Sequence, residues 1–197
     1  MTILQKLEEL GSQQGGIITT KDAARLGISR AMLSNLYLYG QLERIARGQY
    51  ILPNGMEDEL LSIALRSSKI IFSHETALYL HGLSDRTPFV HSVTAPSNCV
   101  PNNNIQDICK VYYIKPDLFE MGRVVEKSPA GNLIPVYDID RTICDVVRSR
   151  NKLGTETFLF AVKAYAKSKN KNLNTLGNYA KQLRITNVIH RYLEVLL

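Results

Sequence analysis

The sequence predicts an α+β fold in two parts, and three observations predict it. Helical periodicity marks three segments between residues 2 and 39 and returns from Asp138 to the end. A hairpin pattern closes on the turn Pro53-Asn54-Gly55. Between that turn and Asp138, short β-type runs alternate with helical ones. The chain has 197 residues, 45% of them hydrophobic and 21% charged, an ordinary globular balance. That length holds one or two domains and buries about 70% of the unfolded surface.

Each element has its own reason. Ile3, Leu4, Leu7 and Leu10 recur at helical spacing, so a helix is expected over 2–10. Residues 11–16 hold only Gly, Ser and Gln and read as a turn. Ile17 and Ile18 form a brief apolar stretch. Thr19 with Asp22 fits a capping box, and Thr19 or Thr20 opens a second helix ending at Leu26. Gly27 stops it, and Ser29 caps a third helix that runs to Tyr39 and ends at Gly40. Residues 42–46 and 49–52 flank Arg47-Gly48 and read as a hairpin. Pro53-Asn54-Gly55 is the expected junction, with domains at 1–53 and 56–197.

The second part mixes helix and strand. A helix is expected over 56–68, with Leu60, Leu61, Ala64 and Leu65 inward. Residues 70–72 read as a strand, and Ser73 caps a helix through Leu80. Strands are expected over 90–95, 109–114, 122–126 and 134–137, with 96–106 a Pro- and Asn-rich loop. Four helices follow, over 138–149, 155–168, 172–183 and 187–196.

Charge is uneven along this layout. The net charge is +2 over 1–55, −4 over 56–145 and +8 over 146–197, giving +6 overall and a pI near 9.2. Such asymmetry suits contact with a polyanion or an acidic partner. No run of 18 apolar residues is present, and residues 1–5 lack the start of a signal peptide. Cys99, Cys109 and Cys144 are odd in number and form no C-x-x-C pair, which favours neither a disulfide framework nor a structural zinc. A cytoplasmic protein with no membrane partner, metal or cofactor is expected.

The strongest constellation centres on Gly27. Ala23 lies four residues before it, where a small side chain lets two helices cross. Leu26 and Ile28 flank the turn as anchors, and Leu33 and Leu36 follow on the inner face of the third helix. This is helix-turn-helix spacing, with Asp22 where an apolar residue is common. The hairpin after it makes the unit a winged helix-turn-helix. Ser29, Arg30, Ser34 and Asn35 supply types that read base edges or phosphates. Arg44, Arg47 and Gln49 equip the wing, and Lys21 and Arg25 can hold phosphates. Tyr37, Leu38 and Tyr39 read as core or interface. A single such domain offers few base contacts, so a dimer or cooperative monomers on repeated half-sites is expected.

These residues also carry a resemblance. Residues 16–23, the Gly27-Ile28-Ser29 turn, and the wing over 44–50 resemble the N-terminal domain of AbiEi-type antitoxins, of type IV toxin–antitoxin abortive-infection systems. The likeness continues in the S-H-E-T-A-L segment over 73–78 and its extension to Leu83. It returns more loosely over 138–145. The resemblance implies an antitoxin that also represses its own operon by binding inverted repeats in promoter DNA. It further implies a C-terminal domain that counters a nucleotidyltransferase-like toxin and does not require a stable complex to do so. Lys163, Lys167, Lys169 and Lys171, extended by Lys181, Arg184 and Arg191, form a candidate basic patch around a Phe158, Leu159 and Val162 core.

Other readings compete. A ligand-responsive DNA-binding regulator without antitoxin activity is the principal alternative. Asp138, Asp140 and Asp145 near Arg141 could form a metal-dependent nuclease centre, although acids at a helix start are stabilised by its dipole. His74 and His81 are seven apart and lack the i, i+4 pairing of a zincin, so His74 reads as structural. Cys144 reads as buried packing. No P-loop, dinucleotide fingerprint or nucleophile elbow is present, and no enzyme activity is expected.

Overall fold

Thr2 opens the first helix by a reciprocal cap: its hydroxyl accepts from the Gln5 amide while the Gln5 side chain accepts from the Thr2 amide. The computed structural model describes residues 2–193 and divides into two units. One comprises the chain up to Leu65 with Lys127–Leu133; the other comprises Arg66–Glu126 and the chain from Ile134. Pro53-Asn54-Gly55 therefore lies within the first unit.

That unit contains α1 (Ile3–Gln13), β1 (Ile18–Thr19), α2 (Thr20–Arg25), α3 (Arg30–Leu38), β2 (Glu43–Ala46), β3 (Gln49–Ile51) and most of α4 (Glu59–Arg66). α1 runs past the expected stop at Gly11. The glycine is buried in the helix, facing Ile18, and the chain instead reverses at Gly15 and Gly16, both at positive φ. Ile18 and Thr19 pair with Tyr50 and Gln49, so the three strands form an antiparallel sheet in the order β1-β3-β2. Leu7, Leu10, Ile18, Ala23, Ile28, Leu33, Leu42 and Tyr50 make one core. A large aliphatic side chain buried there contributes about 1.5–3 kcal/mol.

α4 starts at Glu59 rather than Met56 because Asp58 caps it, accepting from the Leu61 amide. The Asp58 carboxylate also accepts from Ser128 Oγ and from Asn132 Nδ2 at 2.8 Å, which ties the 127–133 turn into this unit. Leu65 is exposed, and Ser62 and Ile63 are buried in its place.

The second unit holds a five-stranded mixed sheet in the order β6-β5-β4-β8-β7. Its strands are β4 (Ile71–Phe72), β5 (His91–Pro96), β6 (Cys109–Ile114), β7 (Arg123–Lys127) and β8 (Leu133–Tyr137). β4 pairs antiparallel with β5 and parallel with β8, and β5 runs parallel to β6. Helix α5 (His74–Leu80) follows β4, and the expected 96–106 loop carries a single turn, α6 (Asn103–Gln106), capped by Asn102.

Helices α7 (Ile139–Arg148), α8 (Thr155–Lys167), α9 (Leu173–Gln182) and α10 (Thr186–Leu193) complete the unit. The expected last helix extended to 196; residues 194–196 lie outside the described residues. α7 is buried from Asp140 to Val147 and touches α5, α8, α9 and α10. Phe158 and Val162 join this core, whereas Leu159 is 46% exposed, because it lies on the outer side of α8. The architecture is α+β, with a helical C-terminal region.

Candidate nucleic-acid interface

Local chemistry sets the two crossing helices. Thr19 accepts from the Asp22 amide as the N-cap of α2, and its hydroxyl donates to the Asp22 carboxylate. Asp22 also pairs with Arg25 at 2.9 Å. The acid that looked like a missing apolar anchor is thus a helix-capping residue. Gly27 takes φ +77, a backbone state that costs other L-residues about 1–2 kcal/mol. The Leu26, Gly27 and Ile28 amides turn back onto the carbonyls of Ala23 and Ala24. Ile28 anchors the turn in the core, but Leu26 does not; it is 41% exposed. Ser29 then caps α3 by accepting from the Met32 amide.

Ser29, Arg30, Ser34 and Asn35 are all exposed around α3, while Leu33 is fully buried and Leu36 packs against the core. Arg30 and Ser34 lie one turn apart on the outer side. Tyr37, Leu38 and Tyr39 are exposed too, at 45, 74 and 80%, so the core reading of these three does not hold. Lys21 and Arg25, also exposed, lie one turn apart on α2.

The wing is held against the start of α2. The Gly48 carbonyl accepts from the Thr20 amide at 2.9 Å, and Gly48 takes φ +77 at the hairpin tip. Arg44 and Arg47 are exposed, and the Arg44 guanidinium donates to the Ala46 carbonyl across a register shift in β2. Gln49 is a correction. It is 3% exposed, its Nε2 donates to the Ser62 carbonyl, and its Oε1 accepts from Ser62 Oγ. Buried and bonded to Ser62 inside the unit, its side chain does not reach a ligand.

In the second unit, Lys163, Lys167, Lys169, Lys181, Arg184 and Arg191 are exposed. Lys171 departs from the expected patch. It is half-buried, and its ammonium donates to the Ala166 and Ser168 carbonyls at the end of α8, a C-terminal cap.

The acidic cluster is committed to structure. Asp138 caps α7 through the Arg141 amide and accepts from Tyr179 Oη at 2.8 Å. Asp140 accepts from Tyr165 Oη and the Asn172 amide; burial raises its pKa while these bonds oppose the rise. Asp145 pairs with the fully buried Arg141 at 3.0 Å. The Arg141 guanidinium also donates to the Leu118 and Met121 carbonyls and lies over the Tyr137 ring. Among the described residues no three His, Cys, Asp or Glu side chains converge as a metal-binding group. Cys144 is buried, and burial pushes its thiol pKa well up, which disfavours the thiolate.

The S-H-E-T-A-L segment builds a polar knot that sequence reading assigned only in outline. His74 is buried at φ +47, its ring stacked on Tyr112 at 3.4 Å. Its Nδ1 meets Ser73 Oγ and its Nε2 meets Ser149 Oγ. Glu75 pairs with Lys110 at 2.8 Å and accepts from Ser92 Oγ. His81 turns away and donates from Nε2 to the Tyr137 carbonyl.

Two helices crossing at a glycine turn, with a basic hairpin beside them, define a winged helix-turn-helix domain. Residues 5–53 match the family described as "Transcriptional regulator, AbiEi antitoxin", the family that these residues resemble in sequence. Among solved structures the chain is similar to the crystal structure of the RV2827C protein from Mycobacterium tuberculosis. That likeness has a TM-score of 0.65 at 13% identity and covers 92% of this chain and 75% of the other; it shows a shared fold. No curated protein sequence matches the chain. Among the described residues no helix is long and apolar enough to cross a membrane.

Proposed function

We propose that this chain is an antitoxin that represses its own operon, binding inverted repeats in its promoter through the winged domain. The second unit counters a nucleotidyltransferase-like toxin functionally, with no stable complex required, and the chain catalyses no reaction of its own. The observation that carries the reading is the exposed face of α3, bearing Arg30, Ser34 and Asn35 beside the exposed Arg44 and Arg47 of the wing. Arg can take guanine and Asn adenine in the major groove, while cations on the wing and on α2 hold the backbone. A short reading helix needs two copies on repeated half-sites for specificity.

The test is retention of the DNA upstream of its own reading frame across a salt series. The wild-type protein is expected to shift that DNA with a steep salt dependence. Arg30→Ala/Arg47→Ala should lower affinity and make the slope shallower by about 0.9 for each phosphate no longer neutralised. Both side chains are exposed, so the variant keeps its fold. A protein that shifts nothing at low salt would refute the repressor reading.

A further inference from the structure

Ala31, Ser34, Asn35 and Leu38 are all exposed on α3 and fall at positions i, i+3, i+4 and i+7. They form one stripe along the helix. The same spacing presents the base-reading side chains of three-helix DNA-binding domains to the major groove. Two of the four are apolar, flanking Asn35 by one turn on either side. A single exposed leucine needs no explanation. Here, however, Leu38 is left 74% in water on the same stripe as a carboxamide, in a unit that exposes Lys21, Arg25, Arg30, Arg44 and Arg47. The cations favour a polyanion over a second apolar protein face as the occupant.

We infer that α3 reads A·T base pairs, with Asn35 on an adenine and Ala31 and Leu38 against thymine methyl groups. This rests on the proposal that α3 enters the major groove, and adds which bases it selects there. The Asn35 carboxamide fits adenine in both directions: Oδ1 accepts from the N6 amino group, and Nδ2 donates to N7. Of the four bases only thymine offers a methyl in the major groove, and an aliphatic side chain is its natural contact. Helical rise places Ala31 about 6 Å and Leu38 about 4.5 Å along the axis from Asn35. That is one to two base-pair steps at about 3.4 Å each, so the two methyls belong to pairs within two steps of the adenine. Ser34 accommodates either type of pair, and Arg30 at the edge of the stripe is left for a guanine or a phosphate.

The full-length protein is used to select duplexes from a random-sequence pool. A recovered half-site with clustered A·T pairs is expected. In that duplex, replacing each contacted thymine by deoxyuridine removes only the methyl and should weaken binding about fourfold. Replacing the contacted adenine by 7-deazaadenine removes only the N7 acceptor and should weaken it about tenfold. Leu38→Ala should abolish the sensitivity to its deoxyuridine, and Asn35→Ala the sensitivity to 7-deazaadenine. Both side chains lie in solvent, so an unchanged thermal midpoint is the expected control. Unchanged binding to the deoxyuridine duplex overturns the inference. So does a Leu38→Ala protein whose self-association changes while its DNA retention does not, since the leucine then belongs to a second copy. Retention of duplexes without base preference overturns the inference alone and leaves the DNA-binding proposal standing. Retention of no duplex at low salt overturns both.

Discussion

His74 stands at φ +47 with its ring buried and stacked on Tyr112, a backbone state that disfavours most residues. Burial, followed by the charges of Lys110, Arg148, Arg141 and Lys152, holds its pKa well below 6.5. The folded state therefore keeps the imidazole neutral where the unfolded chain takes a proton. Stability is fully present above about pH 6.5 and is lost as pH falls toward the depressed folded value, by about 1.4 kcal/mol per pH unit for one proton. Urea unfolding between pH 7 and 5 is expected to show this slope in wild type. His74→Asn, which tolerates positive φ, should make the slope shallower by about one proton. An equal slope in both proteins would mean that another group titrates. Residue types were legible in the sequence where their partners are local: Thr19 with Asp22, Ser29 with Met32, Asp138 with Arg141. They were illegible where partners are distant. Gln49 read as a wing-tip contact because nothing near it announces Ser62, and Lys171 read as surface charge because its cap geometry appears only once α8 ends.

α2 and α3 follow from short-range chemistry, and their caps at Thr19 and Ser29 and their stops at Gly27 and Gly40 were readable directly. β1 was not, because two residues carry no alternation and the strand exists only by pairing with β3. α1 passed its apparent stop because Gly11 packs against Ile18 where a turn was expected. The two glycines that matter most here differ in kind. Gly27 and Gly48 share φ +77, but a Cβ on Gly27 would meet nothing within 4 Å, whereas one on Gly48 would lie 3.1 Å from Thr20 Oγ1. Gly27→Ala should therefore cost only the backbone strain, about 1–2 kcal/mol. Gly48→Ala should cost more, because it also pushes against the residue that opens α2 and carries the bond joining helix to wing. Chemical denaturation orders the two variants. Gly48→Ala should in addition weaken DNA retention, since the Arg47 side chain moves with the turn. Equal destabilisation, with retention unaffected, would show that the wing tip shifts freely relative to α2.

At the scale of the whole chain, the α+β class was legible because helix and strand periods separate cleanly along the sequence. The strand order was not: β4 has two residues, yet it lies at the centre of the sheet, between β5 and β8, which both follow it in sequence and are far apart from each other. Nor was the place of the 127–133 turn, which depends on one buried carboxylate, Asp58. The charge asymmetry did survive translation into structure, since six of the seven expected C-terminal cations are exposed. What they face is decided by their neighbours. On α8, Lys163 and Lys167 share their exposed side with Leu159 and Phe160, 46 and 43% exposed. Binding to the phosphate backbone draws on cations and polar groups and has no use for exposed apolar side chains, whereas an aromatic anchor within a polar rim is the pattern of a protein interface. The combined variant Lys163→Gln/Lys167→Gln/Lys169→Gln/Lys181→Gln leaves the Lys171 cap intact. It should keep promoter binding, with a salt slope within about one unit of wild type, and should lose protection of cells expressing the cognate toxin. A slope shallower by about 0.9 per lysine, with protection retained, would instead assign this surface to DNA.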